Sequence, residues 1–258
     1  VSADALERIV LDYQGETLTL NYADGSWTLA EDPDYHLDTT TCNTMLTALT
    51  DLRAKRQLTA EAGEDYGMDA PQVTVTVTAA GETDVYCFGA ENSVTGDLYL
   101  QKEGDASIYT VAGTKAACFE QTKADLFGSF NPAGLTSSAI EAVTLTYPDG
   151  RTVSLAALSE PDSSDAPDSD SSSYTTVWRN TADPETDLDD TAVQSLLSAL
   201  SGYATGQATH TEPAEIGFET LVTAEVTAGK TVYSLTYGEG TDGYYLTVSG
   251  DDSLYSVD

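Results

Sequence analysis

Apolar and polar residues alternate strictly through Val73-Thr74-Val75-Thr76-Val77-Thr78. That two-residue period belongs to a strand with one face on a core and a threonine-lined face toward water. Three short runs follow, Asp84 to Phe88, Leu98 to Lys102 and Ser107 to Val111, separated by Gly, Asn and Asp; they predict an antiparallel meander. Upstream the period changes. Cys42, Met45, Leu46, Leu49 and Leu52 recur at spacings of three and four, which makes one apolar face of a helix. Asp38 or Thr39 is its expected N-cap, and Arg53, Lys55 and Arg56 fall where the helix dipole is negative. A further helix is predicted over roughly Thr114 to Phe127, leading through Asn131-Pro132-Ala133-Gly134 into the rest of the chain.

The second half restates the first. Leu11-Asp12-Tyr13, Gly15 and Thr17-Leu18-Thr19-Leu20 return as Leu145-Thr146-Tyr147, Gly150 and Thr152-Val153-Ser154-Leu155. Trp27 matches Trp178, the only two tryptophans, and at the same offset Leu37-Asp38-Thr39-Thr40 matches Leu188-Asp189-Asp190-Thr191. Met45, Leu46 and Leu49 match Leu196, Leu197 and Leu200, and Tyr66-Gly67-Met68 faces Ile216-Gly217-Phe218. Gly104-Asp105, Ser107, Tyr109 and Val111 fall on Gly250-Asp251, Ser253, Tyr255 and Val257. The second helix is therefore expected to be capped by Asp189 or Asp190 and to bury Val193, Leu196, Leu197 and Leu200. Strands are expected at Leu221 to Thr227, Thr231 to Tyr237, Gly243 to Val248 and Ser253 to Val257. One difference stands out. Where the first copy turns through Ala23-Asp24-Gly25, the second carries Ser159 to Ser173, almost all Ser, Asp and Pro, predicted to be a disordered acidic insertion.

Charge changes the picture most. The 258 residues hold 43 acidic and 10 basic groups, for a formal net charge of -33. Residues 1–138 carry 22 acidic and 7 basic groups and residues 139–258 carry 21 and 3, so both copies share the excess. A field of that sign repels phosphate backbones and anionic lipid headgroups, which removes nucleic acid and anionic membrane surfaces from the expected partners. No window approaches the ~18 apolar residues of a transmembrane helix, and no signal-peptide pattern follows Val1.

Candidate chemistry is sparse. Cys42, Cys87 and Cys118 are too few for a disulfide framework. The repeat sets Cys42 on Val193 and Cys87 at or beside Leu235, so both read as small buried apolar side chains, and Ala117 and Phe119 suggest the same for Cys118. His36 precedes the first helix opposite Asp187, and His210 lies in a polar linker; neither has a catalytic motif around it. No nucleophile elbow, zinc signature or phosphate loop occurs. Clustered carboxylates raise calcium binding, at Asp162, Asp165, Asp168 and Asp170 or at Asp183, Asp187, Asp189 and Asp190, but neither cluster has the EF-hand spacing. Tyr86, Tyr99, Tyr109, Tyr233, Tyr237, Tyr244, Tyr245 and Tyr255 are either a binding row or strand packing, and packing is the simpler reading. No residue is assigned as catalytic, cofactor-binding or metal-ligating.

Gly25-Ser26-Trp27, Leu37-Asp38-Thr39, Leu49 to Arg56, Glu64-Asp65-Tyr66-Gly67-Met68-Asp69-Ala70-Pro71 and Ile108-Tyr109-Thr110-Val111 together resemble a bacterial family called domain of unknown function 4340. The second copy matches in a degenerate form that lacks a counterpart of Pro71. The resemblance implies an exported protein held at the membrane by an N-terminal hydrophobic segment, in some members encoded beside transporter components of the gliding-motility type. It carries no catalytic residue across.

The expected fold is α+β: two tandem modules, 1–134 and 135–258, each an antiparallel sheet with a packed helix. The expected function is non-enzymatic binding or scaffolding at the cell envelope, accessory to a transporter, with no cofactor. The alternative is a glycan-directed, carboxylate-dependent hydrolase with its site between the modules, which needs two facing carboxyls with one desolvated.

Overall fold

Val73, Val75 and Val77 are buried while Thr74, Thr76 and Thr78 stay partly open, as their alternation requires. They belong to one of two eight-stranded antiparallel sheets in a computed structural model that describes residues 2–59, 64–161 and 174–258. The chain divides into two units, Val1–Gly128 and Ser129–Asp258.

The first unit contains β1 (Leu6–Tyr13), β2 (Glu16–Ala23), β3 (Ser26–Leu29), α1 (Thr39–Thr50), β4 (Arg56–Thr59), β5 (Val73–Ala79), β6 (Glu82–Glu91), β7 (Asp97–Lys102) and β8 (Ser107–Ala112), with strand order β3-β2-β1-β5-β6-β7-β8-β4. The second contains β9 (Ala142–Thr146), β10 (Thr152–Pro161), β11 (Tyr174–Asn180), α2 (Asp190–Leu200), β12 (Gly206–Thr209), β13 (Glu219–Ala228), β14 (Thr231–Gly240), β15 (Gly243–Val248) and β16 (Ser253–Val257), ordered β11-β10-β9-β13-β14-β15-β16-β12. Element for element the two orders are the same. In each, the helix carries the chain from one sheet edge to the other, and the next segment returns it to the centre beside the first strand. The fold is α+β in the broad sense and is mostly sheet.

Asp38 caps α1 by accepting from the Thr40 amide at 2.9 Å and the Thr41 hydroxyl at 2.6 Å, and Asp189 caps α2 by accepting from the Ala192 amide at 2.9 Å. Cys42, Met45, Ala48 and Leu49 join Ile9, Leu11, Val75 and Phe88 in one buried cluster. Leu46 and Leu52 are only partly buried. Trp27 and Trp178 are both buried.

Four expectations change. The stretch from Thr114 to Phe127 is not an α-helix; it holds 3-10 turns at Gly113–Lys115 and Ala124–Leu126. Side chains and neighbours claim its backbone instead: Asp125 accepts from the Thr122 amide at 2.9 Å, and the Lys123 carbonyl accepts from the Tyr35 hydroxyl at 2.8 Å. α1 ends at Thr50, so Arg53, Lys55 and Arg56 lie beyond its last turn and Arg56 opens β4. The units part between Gly128 and Ser129, ahead of Asn131-Pro132-Ala133-Gly134, because that turn is tied into the second unit. Asn131 donates to the Ser201 carbonyl at 3.1 Å, and Phe130 meets Tyr255 edge-on at 5.5 Å. Finally, β10 runs on to Pro161, with Ser159 and Glu160 paired to Thr176 and Thr175. The rest of the insertion, with Asp162, Asp165, Asp168 and Asp170, lies outside the described residues.

Candidate functional site

The last hairpin of each sheet is built around one aspartate. Asp105 accepts from the Ser107 amide at 2.8 Å and the Tyr109 hydroxyl at 2.7 Å, while Gln57 on the edge strand β4 donates to the Ser107 hydroxyl at 2.9 Å. The second unit repeats every bond. Asp251 accepts from the Ser253 amide at 2.9 Å and the Tyr255 hydroxyl at 2.6 Å, and Gln207 on β12 donates to the Ser253 hydroxyl at 3.1 Å. These donors hold the Asp105 carboxyl below the usual carboxylate range, the Ser107 amide foremost. Burial, helped by Asp251, pushes the Tyr255 phenol up to about 12. The Gly-Asp-x-Ser-x-Tyr repeat thus encodes a turn and the docking of an edge strand. The matching glutamines are a signal that sequence comparison missed.

A second duplicated feature crosses the opposite, threonine-lined face. Tyr66-Gly67-Met68 lies against β6, where the Ala90 amide donates to the Tyr66 carbonyl at 2.9 Å. The approach is so close that a Cβ on Gly89 would stand 2.2 Å from that carbonyl oxygen. Ile216-Gly217-Phe218 crosses β14 in the same way, and a Cβ on Gly238 would meet the Phe218 ring at 2.4 Å. Gly67 and Gly217 both adopt left-handed backbone, with φ of 73° and 65°.

At the aspartate turn each open face carries a depression of about 500 Å³. In the first unit it is lined by Val85, Cys87, Gln101, Glu103, Gly104, Asp105 and Ala106. In the second, Ser234, Thr236 and Thr247 form the floor, Ser249 to Leu254 one wall, and His210, Thr211, Glu212 and Pro213 the other. Strand register makes the two floors equivalent, since Cys87 pairs with Gln101 and Thr236 with Thr247. The scaffold is one; the chemistry differs. Among the described residues the first offers a thiol, an amide and the carboxylates of Glu103 and Asp105, the second hydroxyls, an imidazole and the carboxylates of Glu212, Asp251 and Asp252.

This register sets Cys87 on Thr236, beside Leu235 and on the open face, so it is half-buried rather than the buried apolar side chain expected. Cys42 is fully buried and burial pushes its thiol up to about 12; Cys118, half-buried, is pushed up to about 11. A neutral thiol is a poor nucleophile. His36 is exposed with its ring 6.5 Å from that of Phe127 and is not among the residues lining the first unit's depression, whereas His210 lines that of the second. The acidic cluster before α2 is dispersed: Asp183 accepts from Thr186, Asp187 pairs with Arg179, Asp189 is the cap and Asp190 opens the helix. Among the described residues no three His, Cys, Asp or Glu side chains come together as a metal site. The strand tyrosines form no row, because the pleat sends only Tyr99 and Tyr245 of the eight to the open face.

Five carboxyls are held below the ordinary carboxylate range, Asp38 by Thr41, Asp51 by Lys115, Asp84 by Lys102, Asp105 by Ser107 and Asp125 by Thr122. These are stabilised anions, whereas a glycosidase general acid needs a carboxyl raised by burial.

Duplicated sheets, each with a polar depression over a structural turn, define a class of tandem α+β protein. The family model described as domain of unknown function (DUF4340) matches residues 27–218, most of the chain, and the protein belongs to that family. The match runs from Trp27 on β3 through the crossing segment at Phe218. It contains the first depression whole and only the His210 to Pro213 wall of the second. No curated protein and no solved structure matches the chain.

Proposed function

We propose that the protein is a non-enzymatic, extracytoplasmic binding or scaffolding module of the bacterial cell envelope, membrane-anchored and accessory to a transporter. Its architecture, on this reading, is two tandem copies of one module, each a sheet with a helix packed on its inner face. One observation carries the proposal: the same depression is built twice on equal scaffolding, and among the described residues its floor carries Cys87 and Gln101 in one copy and Thr236 and Thr247 in the other. Recognition tolerates such divergence because each copy can fit its own hydrogen-bonding ligand, whereas a shared reaction would hold the reacting groups constant. The downward carboxylate shifts support the non-catalytic side of the reading. The strong negative charge favours neutral or cationic partners over polyanions. The envelope address and the transporter role come from the family resemblance.

The test has two arms. The purified protein, incubated with a broad panel of glycan, ester and peptide substrates, should turn over none of them, and hydrolysis of any member would replace this reading with the carboxylate-hydrolase one. On intact cells the native protein should be cut by added protease; protection until lysis would remove the extracytoplasmic address.

A further inference from the structure

Trp27 on β3 and Trp178 on β11 hold the same place on the two edge strands and are equally buried, at 8% and 7% exposure. The first indole is fully engaged. Its Nε1–H donates to Asn43 Oδ1 on α1 at 3.0 Å, and its ring lies 4.6 Å from that of Tyr22, its cross-strand partner. A buried indole N–H ordinarily finds such an acceptor, since it can only donate. The second unit has neither engagement. Ala157 pairs with Trp178 where Tyr22 pairs with Trp27. Gln194 stands in the place of Asn43, counted from the capping aspartates, and does not bond the indole. Among the described residues nothing accepts from the Trp178 N–H.

This indole borders a cavity of about 340 Å³ whose described lining lies entirely within the second unit. Ile140, Trp178 and Leu197 are buried and form its floor, while Ser138, Thr176 and Gln194 are exposed and form its rim. None of the three rim side chains is hydrogen-bonded to another described residue. Two features of the second copy shape the cavity. The β10–β11 hairpin runs on from Ala157 and Trp178 to Pro161 and Tyr174, so Thr176 stands on a strand where the first copy is already turning between Ala23 and Ser26. The 3-10 turn before β9 brings Ser137 and Ser138, where the turn before β1 has Ala3 and Asp4. None of the described lining side chains carries a charge.

We propose that this cavity is a binding site for a single uncharged sugar ring. The rim hydroxyls and the Gln194 amide supply both donors and acceptors, as a polyol requires, and the apolar floor suits the C–H face of the ring. The Trp178 N–H adds a donor that a ligand oxygen satisfies. A carboxylated or phosphorylated ligand meets no cation in this lining and is repelled by a chain of net charge -33, and an amine meets no carboxylate there. The cavity shares no residue with the depressions at the aspartate turns, and its occupancy does not depend on the envelope address.

The two tryptophans give two indole N–H signals in a nitrogen-edited NMR spectrum, assigned with Trp27→Phe and Trp178→Phe. The intact protein is titrated with glucose, galactose and N-acetylglucosamine, and with glucuronic acid and glucosamine as charged comparators. At least one neutral sugar should move the Trp178 signal saturably while the Trp27 signal, held by Asn43, stays in place. Thr176→Val and Gln194→Leu, both at exposed positions, should each weaken binding about tenfold. Ala157→Tyr combined with Gln194→Asn, which rebuilds the first unit's arrangement, should abolish it, and far-ultraviolet circular dichroism should show every variant folded. No saturable movement with any neutral sugar at millimolar concentration, equal movement of both indole signals, or tighter binding of a charged sugar overturns the proposal. So does binding that is indifferent to both rim substitutions or retained by the folded double variant.

Discussion

The two units keep the same strand order, caps, aspartate turn and glycine crossing, yet one corner is closed in the first and open in the second. What is retained is directional. Hydrogen bonds to Asp105 or Asp251, and backbone that approaches Gly89 or Gly238 within van der Waals contact, fix register, and a register slip would turn every side chain to the wrong face. What differs is cover. Phe88 and Leu98 are buried in the company of Phe119, whereas at the same positions Tyr244 is half-exposed and Tyr237 only partly buried, its hydroxyl donating to the Ala199 carbonyl at 3.4 Å. The scaffold is therefore specified by its polar turns and tight crossings.

The largest effect should come from removing the cover. Phe119→Ala deletes a fully buried ring and should destabilise the first unit by about 3–5 kcal/mol. Urea unfolding read from the buried Trp27, in a Trp178→Phe background, isolates that unit, and the reciprocal background isolates the second. Next come the glycines. Gly89→Ala drives a methyl against a backbone carbonyl and should cost about 2–3 kcal/mol. Gly238→Ala first meets a ring that can swing aside, with the Glu219 carbonyl oxygen farther off at 2.7 Å than the 2.2 Å contact at Gly89, and should cost about 1–2 kcal/mol. Equal losses would contradict this difference between the two crossings.

The turn sharpens the comparison further. Tyr109→Phe and Tyr255→Phe each remove one hydrogen bond, about 1 kcal/mol, with the larger loss at the more buried Tyr255. The folded Tyr255 phenol titrates at about 12, above the ~10 of an unfolded tyrosine. Its contribution is thus complete below pH ~10 and disappears as pH rises through about 12. The Tyr255→Phe variant should lose that alkaline slope in the second unit's transition. Asp105 works in the opposite sense, since its folded carboxyl is depressed. Its contribution is present above the unfolded carboxylate value near pH 4 and lost as pH falls through the folded one. Asp105→Asn should flatten the acid side of the first unit's transition. Smallest of all, Tyr244→Ala should shift the second unit's stability by no more than about 0.5 kcal/mol, because half of its surface is already in water.

The repeat, the meander strands and both helix caps were legible because strict alternation, capping aspartates and paired turn residues are local signals. The register of Cys87 was not, since a β-strand offers no local mark that tells one neighbour from the next, and only the pairing with Gln101 shows which face it takes. Ala116, Phe119, Leu126 and Phe127 imitate helical spacing, but tertiary partners claim the backbone between them: the Tyr35 hydroxyl takes the Lys123 carbonyl, and Phe127 bridges Leu37. Strands β4 and β12 are short and polar, so only their sheet partners make them visible. The depressions could not be read at all, because each joins a hairpin floor to a turn distant in sequence.

The contrast between a covered and an uncovered copy is most directly tested by hydrogen–deuterium exchange on the intact protein, comparing peptides that span Phe88 to Lys102 with those that span Tyr237 to Val248. The account predicts slower exchange in the first set, and a fall to the level of the second set when Phe119 is replaced by alanine. Equal protection of the two corners in the unmodified protein, or indifference of the first to Phe119→Ala, would contradict it.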